Sequence, residues 1–286
     1  MRWKHHHEPT SAYALAPLPG GGCLAATSRG LWRYRPAHGG WSSAAPQFAE
    51  LLLTSVAAHG PTWLIGSNGD IAASRNEGET WGVATLPARA RISRIVLSPG
   101  FDRDGVALAA TAKDGVLRSD DGGATWHAWN IGLLDLAVNA LELSPAFERD
   151  ETCFAATDYG LFISENGGRA WRELALSARH APFSALTIVA QTSPASMAIL
   201  SVGSENSGLW MSIEPYAKWR RVKDVPGPGV GALSPGLAVT DSGLYSVSSA
   251  ASKRLSTRGD LVCVLALDDG TVVAGAANGG MWHGGP

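Results

Sequence analysis

Long uninterrupted apolar runs are missing from this sequence. No stretch of 18 apolar residues occurs in its 286 positions, so a membrane-spanning helix is not expected. The N-terminus, Met1 to Pro9, has no apolar segment of the secretory kind, and a cytoplasmic location is expected. Charge is sparse at 17% of residues, which disfavours long solvated helices. It is also nearly balanced, 23 basic against 25 acidic residues. No basic field is therefore available to attract nucleic acid or a membrane surface. Three cysteines, Cys23, Cys153 and Cys263, are too few and too scattered for a disulfide framework or a zinc site, and reduced buried thiols are expected. No Gly-rich phosphate loop precedes a helix, and no Gly-x-Ser-x-Gly nucleophile turn is present. No cofactor and no metal is implied.

What the chain has in quantity is glycine, 34 residues, and tryptophan, 11 residues, which suit short strands, tight turns and a repeated aromatic role. The repeat is explicit. Residues 73–81, 118–126 and 163–171 share Ser-x-(Asp/Asn)-x-Gly-x-(Thr/Ala)-Trp, and their serines, Ser74, Ser119 and Ser164, are spaced by 45. Upstream, residues 98–104 match residues 144–150 at an offset of 46, and the third unit reads as strands over Ile92–Leu97, Val106–Thr111, Val116–Ser119 and Trp126–Trp129, with a Pro-Gly-Phe-Asp turn after the first. A weaker element, Gly-Leu-aromatic, recurs at Gly30, Gly160, Gly208, Gly243 and Gly280. With the copies at Gly115 and before Ser74 it appears seven times. Each unit reads as four short strands, and about 41 residues per unit is the propeller pattern. The fold expected is all-β: a single seven-bladed β-propeller over residues 1–286, with units near 10–48, 49–90, 91–136, 137–182, 183–227, 228–259 and 260–286. The last unit lacks a fourth strand, while Trp3 sits where a fourth-strand Trp would. Residues 1–9 are therefore expected to complete the blade formed by 260–286.

These turns resemble the Asp-box (BNR) repeats of sialidase-like propellers, a group that also includes some xyloglucanases, sortilin-type receptors and photosystem II assembly factors. The resemblance implies a structural role for Ser74, Asn76, Gly78, Trp81, Ser119, Asp121, Gly123, Trp126, Ser164, Asn166, Gly168 and Trp171, on a rim away from the central pocket. Asp121 can accept backbone N–H bonds, and Asn at 76 and 166 keeps that acceptor without the charge, a swap that a catalytic acid would not tolerate. Exo-sialidases of the group carry an Arg-Ile-Pro signature near the N-terminus. Here only Arg91-Ile92-Ser93 echoes it.

A ligand is expected at the channel mouth, where loops between second and third strands meet the connections between blades. Candidate binding residues are Arg29, Arg94, Asp158, Tyr159 and Asp241. Arg94 falls in an innermost strand, where it must face the channel or pair with an acid. The Asp residues also suit plain turn chemistry. In the run His5-His6-His7, alternation lets only His5 and His7 share a side, as on an edge strand. The function expected is a non-catalytic, monomeric binding or assembly module for a protein, carbohydrate or small-molecule partner. The alternative is a glycoside hydrolase or lyase using loop carboxylates, for which no motif picks out catalytic residues.

Overall fold

The computed structural model describes residues 2–8, 11–38, 40–87, 89–190, 197–248 and 252–285. Seven four-stranded antiparallel sheets form the blades of a β-propeller. Their innermost strands are Ala12–Pro17, Ser55–His59, Ile92–Leu97, Val138–Leu143, Phe183–Ala190, Val230–Ser234 and Leu261–Ala266, in blades 1 to 7. Each is an edge strand whose outward backbone edge faces the central channel. Apolar clusters between consecutive blades form the core, such as Leu108, Leu141, Val138 and Phe162 between blades 3 and 4.

Blade 7 is built from both ends of the sequence. Strand Arg2–His6 pairs antiparallel with Met281–Gly285 and supplies the fourth strand. Trp3 donates from Nε1 to the Leu255 carbonyl of blade 6 at 3.1 Å, so the closing strand is tied to two blades. Met1 and Pro9 of the expected closing segment lie outside the described residues.

The recurring Ala-Ala-Thr…Gly sequence has a local cause. At the end of the second strand in four blades a Thr hydroxyl donates to the carbonyl of the Gly that opens the third strand: Thr27 to Gly30 and Thr111 to Gly115 at 2.8 Å, Thr157 to Gly160 at 3.0 Å and Thr240 to Gly243 at 3.3 Å. Gly30 has φ +76°, and a Cβ there would lie 2.6 Å from the Phe48 carbonyl oxygen, so glycine is required.

Two readings from sequence are refined. The Ser-Pro-x-Phe segments, expected as turns, are one-turn helices, Phe101–Asp104 and Phe147–Asp150. Ser98 and Ser144 cause this by accepting the amide of Gly100 or Ala146 and donating to Asp104 or Asp150. The fourth strand expected over Trp126–Trp129 is only His127–Ala128, because Trp126 turns inward, is 2% exposed and donates its amide to Thr85 of blade 2. The three cysteines are buried and unpaired, and burial pushes the Cys153 and Cys263 thiols up to about 12. Cys23 and Cys153 lie in blades 1 and 4, whereas Cys263 shares an apolar cluster with Cys23. Among the described residues no helix is long and apolar enough to cross a membrane.

Candidate functional site

Six of the seven inner strands carry a β-bulge at the same level, just after their first residue. The residue inserted is Tyr13, Ser93, Asn139, Ser184, Gly231 or Val262, in blades 1, 3, 4, 5, 6 and 7, and all six line the central cavity. A bulge re-aims a side chain and bends the strand. Here it forms a ring at the end of the channel bounded by the second-to-third-strand loops. Blade 2 pairs without a register shift and contributes no inner-strand residue to the lining. Asn139 Nδ2 donates to the Phe183 carbonyl of the next blade at 3.1 Å, and Ser184 bonds the Val230 carbonyl of the blade after that. On the other side of the ring, Gly231, Val262 and Tyr13 leave the mouth apolar and open.

The cavity encloses about 480 Å³ and runs from this ring to Pro17, Pro235 and Asp268 at the opposite ends of the inner strands. Within it Arg94 Nη2 donates to Glu142 Oε1 at 3.2 Å, joining blades 3 and 4. At Arg94's level the other bulged strands place Ala14, Ala140, Ala185, Ala232 and Cys263, so Arg94 is the one large polar side chain in a tier of small ones. Burial raises the Glu142 carboxyl above its usual range, and the Arg94 charge opposes that shift. The second carboxylate on the lining, Asp268, lies three residues beyond the register level of Glu142, about 10 Å along the strand direction.

Of the five candidate binding residues named from sequence, only Arg94 reaches the cavity, and it both faces the channel and pairs with an acid. Arg29 is exposed on the loop of blade 1 and forms no ion pair among the described residues. Asp158 Oδ1 accepts from Asn139 Nδ2 at 2.9 Å, and so adjoins the mouth ring. Tyr159 is 75% exposed, with its amide bound to Asp135 Oδ2 at 3.1 Å. Asp241 Oδ2 accepts the Gly229 amide at 3.1 Å, as Asp114 accepts that of Ala90, which ties each loop to the connection entering its blade. Glu142, Ser93 and Ser184 were not singled out from sequence. Nothing local distinguishes them, since their position depends on a bulge and on pairing with a neighbouring blade.

The repeated turns lie at the opposite end of the ring. Ser119 Oγ accepts the Gly123 amide at 2.9 Å and donates to Asp121 Oδ1 at 2.8 Å. Asp121 in turn accepts from Ala124 and Thr125. Ser74 with Asn76 and Gly78, and Ser164 with Asn166 and Gly168, repeat this network with amide oxygens. Trp81 and Trp126 close their turns by donating to the Gly78 and Gly123 carbonyls, while Trp171 donates to Trp129 of blade 3. Gly123 needs its φ of +91°, since a Cβ would lie 2.7 Å from Leu64 of blade 2. Arginines bind these turns across blades. Arg75 donates to the Asp121 carbonyl, and Arg118, 3% exposed, donates to that of Gly167.

His5 and His6 lie on the closing strand and His7 directly follows it. His5 stacks on Trp282, His7 packs edge-on against His5, and His6 bonds His283. Among the described residues no group of three or more His, Cys, Asp or Glu side chains is arranged to hold a metal ion.

No family model matches this chain, and no curated protein matches it. Solved structures do. A GH74 xyloglucanase from Xanthomonas campestris superposes with a TM-score of 0.74 at 16% identity, over 99% of this chain and 53% of that one. YCF48 bound to D1 peptide gives 0.70 at 14% identity, over 99% and 97%. The WD40 β-propeller domain of Doa1 gives 0.73 at 10% identity, over 98% and 93%. This chain thus spans about half the xyloglucanase but nearly all of the other two. At such identities the likeness shows the propeller fold alone.

Proposed function

We propose that this chain is a non-catalytic binding or assembly module of the Asp-box type. It is a single ring over residues 1–286 that holds a protein or small-ligand partner at the mouth of its channel. The observation that carries this reading is the ring of bulges. Six blades break their pairing at one level, and the side chains so displaced meet at one end of the cavity. Bulges are common where a side chain must be re-aimed toward a site. The structural neighbour YCF48 is known with a bound D1 peptide, which supports a peptide or protein partner. The buried unpaired thiols suit a reducing, cytoplasmic setting.

The test is comparative capture from extract of the source cells. The baits are the native chain, a mouth variant (Ser93→Tyr with Ser184→Tyr) and an opposite-face variant (Arg103→Ser). A partner kept by the native chain and by Arg103→Ser, and lost by the mouth variant, is expected. Equal capture by all three overturns the reading.

One observation favours a second reading, a glycoside hydrolase or lyase: the Glu142 carboxyl, raised by burial inside the cavity, has the character of a general acid. Two carboxylates flanking one glycosidic bond stand about 5 to 9.5 Å apart, and the register level of Asp268 is at or beyond that range. Turnover of a glycoside panel, abolished by Glu142→Gln, would establish this second reading instead.

A further inference from the structure

Beside the mouth, the connection from blade 3 to blade 4 and the loop of blade 4 expose an unusual amount of apolar surface. Leu134 is 80% exposed, Leu136 40% and Tyr159 75%. Single exposed apolar side chains are ordinary, but a contiguous group marks a contact surface. The group is held together by Asp135. Its Oδ1 accepts the Ala137 amide at 3.0 Å and its Oδ2 accepts the Tyr159 amide at 3.1 Å, which fixes the blade 4 loop against residues 134–136. Leu136 is fixed from the other side, its carbonyl accepting the Gly115 amide at 3.0 Å. The surface is therefore organised before anything binds, which lowers the ordering cost of association.

Its rim is acidic. Asp135 and Asp158 flank Tyr159, and Glu173 Oε1 would lie 3.5 Å from a Cβ placed on Gly160. None of these three carboxylates has an ion-pair partner among the described residues. The adjoining loop of blade 3 supplies one basic side chain, Lys113. The surface is also continuous with the cavity, because Asn139 lines the cavity and bonds Asp158.

We propose that this surface docks a protein segment in which apolar residues are interspersed with Lys or Arg. The apolar residues cover Leu134, Leu136 and Tyr159, and the cations meet Asp135, Asp158 and Glu173. The proposal rests on the reading of the mouth face as a binding face and names the chemistry of its partner. Carboxylates at a rim steer encounter and select charge, while the apolar anchors hold the bound state.

The probes are a short peptide alternating leucine with lysine and its leucine–glutamate counterpart, titrated by fluorescence anisotropy against the full chain. The lysine peptide should bind at least tenfold more tightly than the glutamate one and weaken as salt is raised. Leu134→Ser with Tyr159→Ser should weaken it roughly tenfold, the effect of removing interface anchors. Asp158→Asn with Glu173→Gln should flatten the salt dependence. All four substitutions are at exposed positions, and an unchanged melting curve verifies the fold. Equal binding of the two peptides, no binding of either, or binding indifferent to Leu134→Ser with Tyr159→Ser overturns the proposal. Lysine-peptide binding lost only with Ser93→Tyr and Ser184→Tyr also overturns it, yet leaves the mouth reading standing. A natural partner lost only with the Leu134 and Tyr159 substitutions, and kept by the mouth variant, overturns the cavity reading instead.

Discussion

His6 Nε2 and His283 Nδ1 meet at 2.8 Å across the seam where the first strand closes the ring. Two neutral imidazoles satisfy this contact, one donating and one accepting, and a single added proton still allows it. Two added protons place N–H against N–H. Both groups are held below the ordinary histidine value of 6.5. Burial is the main cause, joined for His6 by His5 and Lys4 and for His283 by His6 and Lys4. Tyr34 of blade 1 packs on His283, and burial, joined by Cys23 and Asp269, raises its ionisation, so the ring facing His283 is neutral.

Because both folded-state values are depressed, the unfolded chain takes up protons first as pH falls below 6.5. Stability is full above that value and is lost as pH drops through the folded values. Hydrogen exchange should show Arg2–His6 and Met281–Gly285 opening in this window ahead of the other blades. His283→Gln should reduce the pH slope, and His6→Gln with His283→Gln should remove it.

The closing strand should also be felt at constant pH. Trp3→Ala removes a half-buried ring and its bond to Leu255. We expect a loss on the order of 2–3 kcal/mol, below that of a fully buried Trp, read from chemical denaturation. Unfolding should remain a single transition, since blade 7 joins blades 6 and 1.

Asp121 shows how little of its turn depends on charge. Burial works against its ionisation, but bonds from the Thr125 hydroxyl and amide, Ser119 and Ala124 hold its carboxyl down to about 2. Its depressed value contributes stability above the unfolded value of 3.8 that is lost as pH falls through about 2. Asp121→Asn reproduces the side chain already present at 76 and 166. It should leave neutral-pH stability within about 1 kcal/mol and weaken this acid dependence. Ser119→Ala, which leaves the buried Gly123 amide without an acceptor, should cost about 1–3 kcal/mol in the same melts.

In the cavity, Arg94→Ala leaves Glu142 without its cation. The Glu142 carboxyl should rise further, measurable by NMR titration, with a cost of about 1–2 kcal/mol at neutral pH in a site still reached by channel water. Adding Glu142→Gln should recover most of that loss. If the two losses simply add, the pair is not coupled.

The fold was legible because its signals are local. A Thr hydroxyl reaching a glycine carbonyl a few residues on, or a Ser and an Asx sharing a turn, leaves a spaced pattern that repeats with the blade. The closing strand was legible for the same reason, through the missing fourth strand and the position of Trp3. The site was not. The inserted residues Tyr13, Ser93, Asn139, Ser184, Gly231 and Val262 share no chemistry, since a bulge asks only for one extra residue. Arg94 was suspect because a charge on an inner strand needs a reason. Its partner Glu142 stands 48 residues away on another blade, a distance over which composition carries no information. The one-turn helices were missed because four residues are too few to show a helical period.

The seventh blade gives the molecule a timetable. During synthesis, Arg2–His6 waits for a partner strand, Met281–Gly285, that emerges after every other strand of the ring, and Trp3 waits for a carbonyl 252 residues downstream. Blades 1 to 6 can assemble from neighbours as they leave the ribosome, but the channel and its mouth become a closed ring only when the final strand arrives. Until then the unpaired first strand offers a free edge to any other chain in the same state. Crowded expression should therefore favour exchange of that strand between molecules, and slower synthesis should favour closure of the ring within one chain.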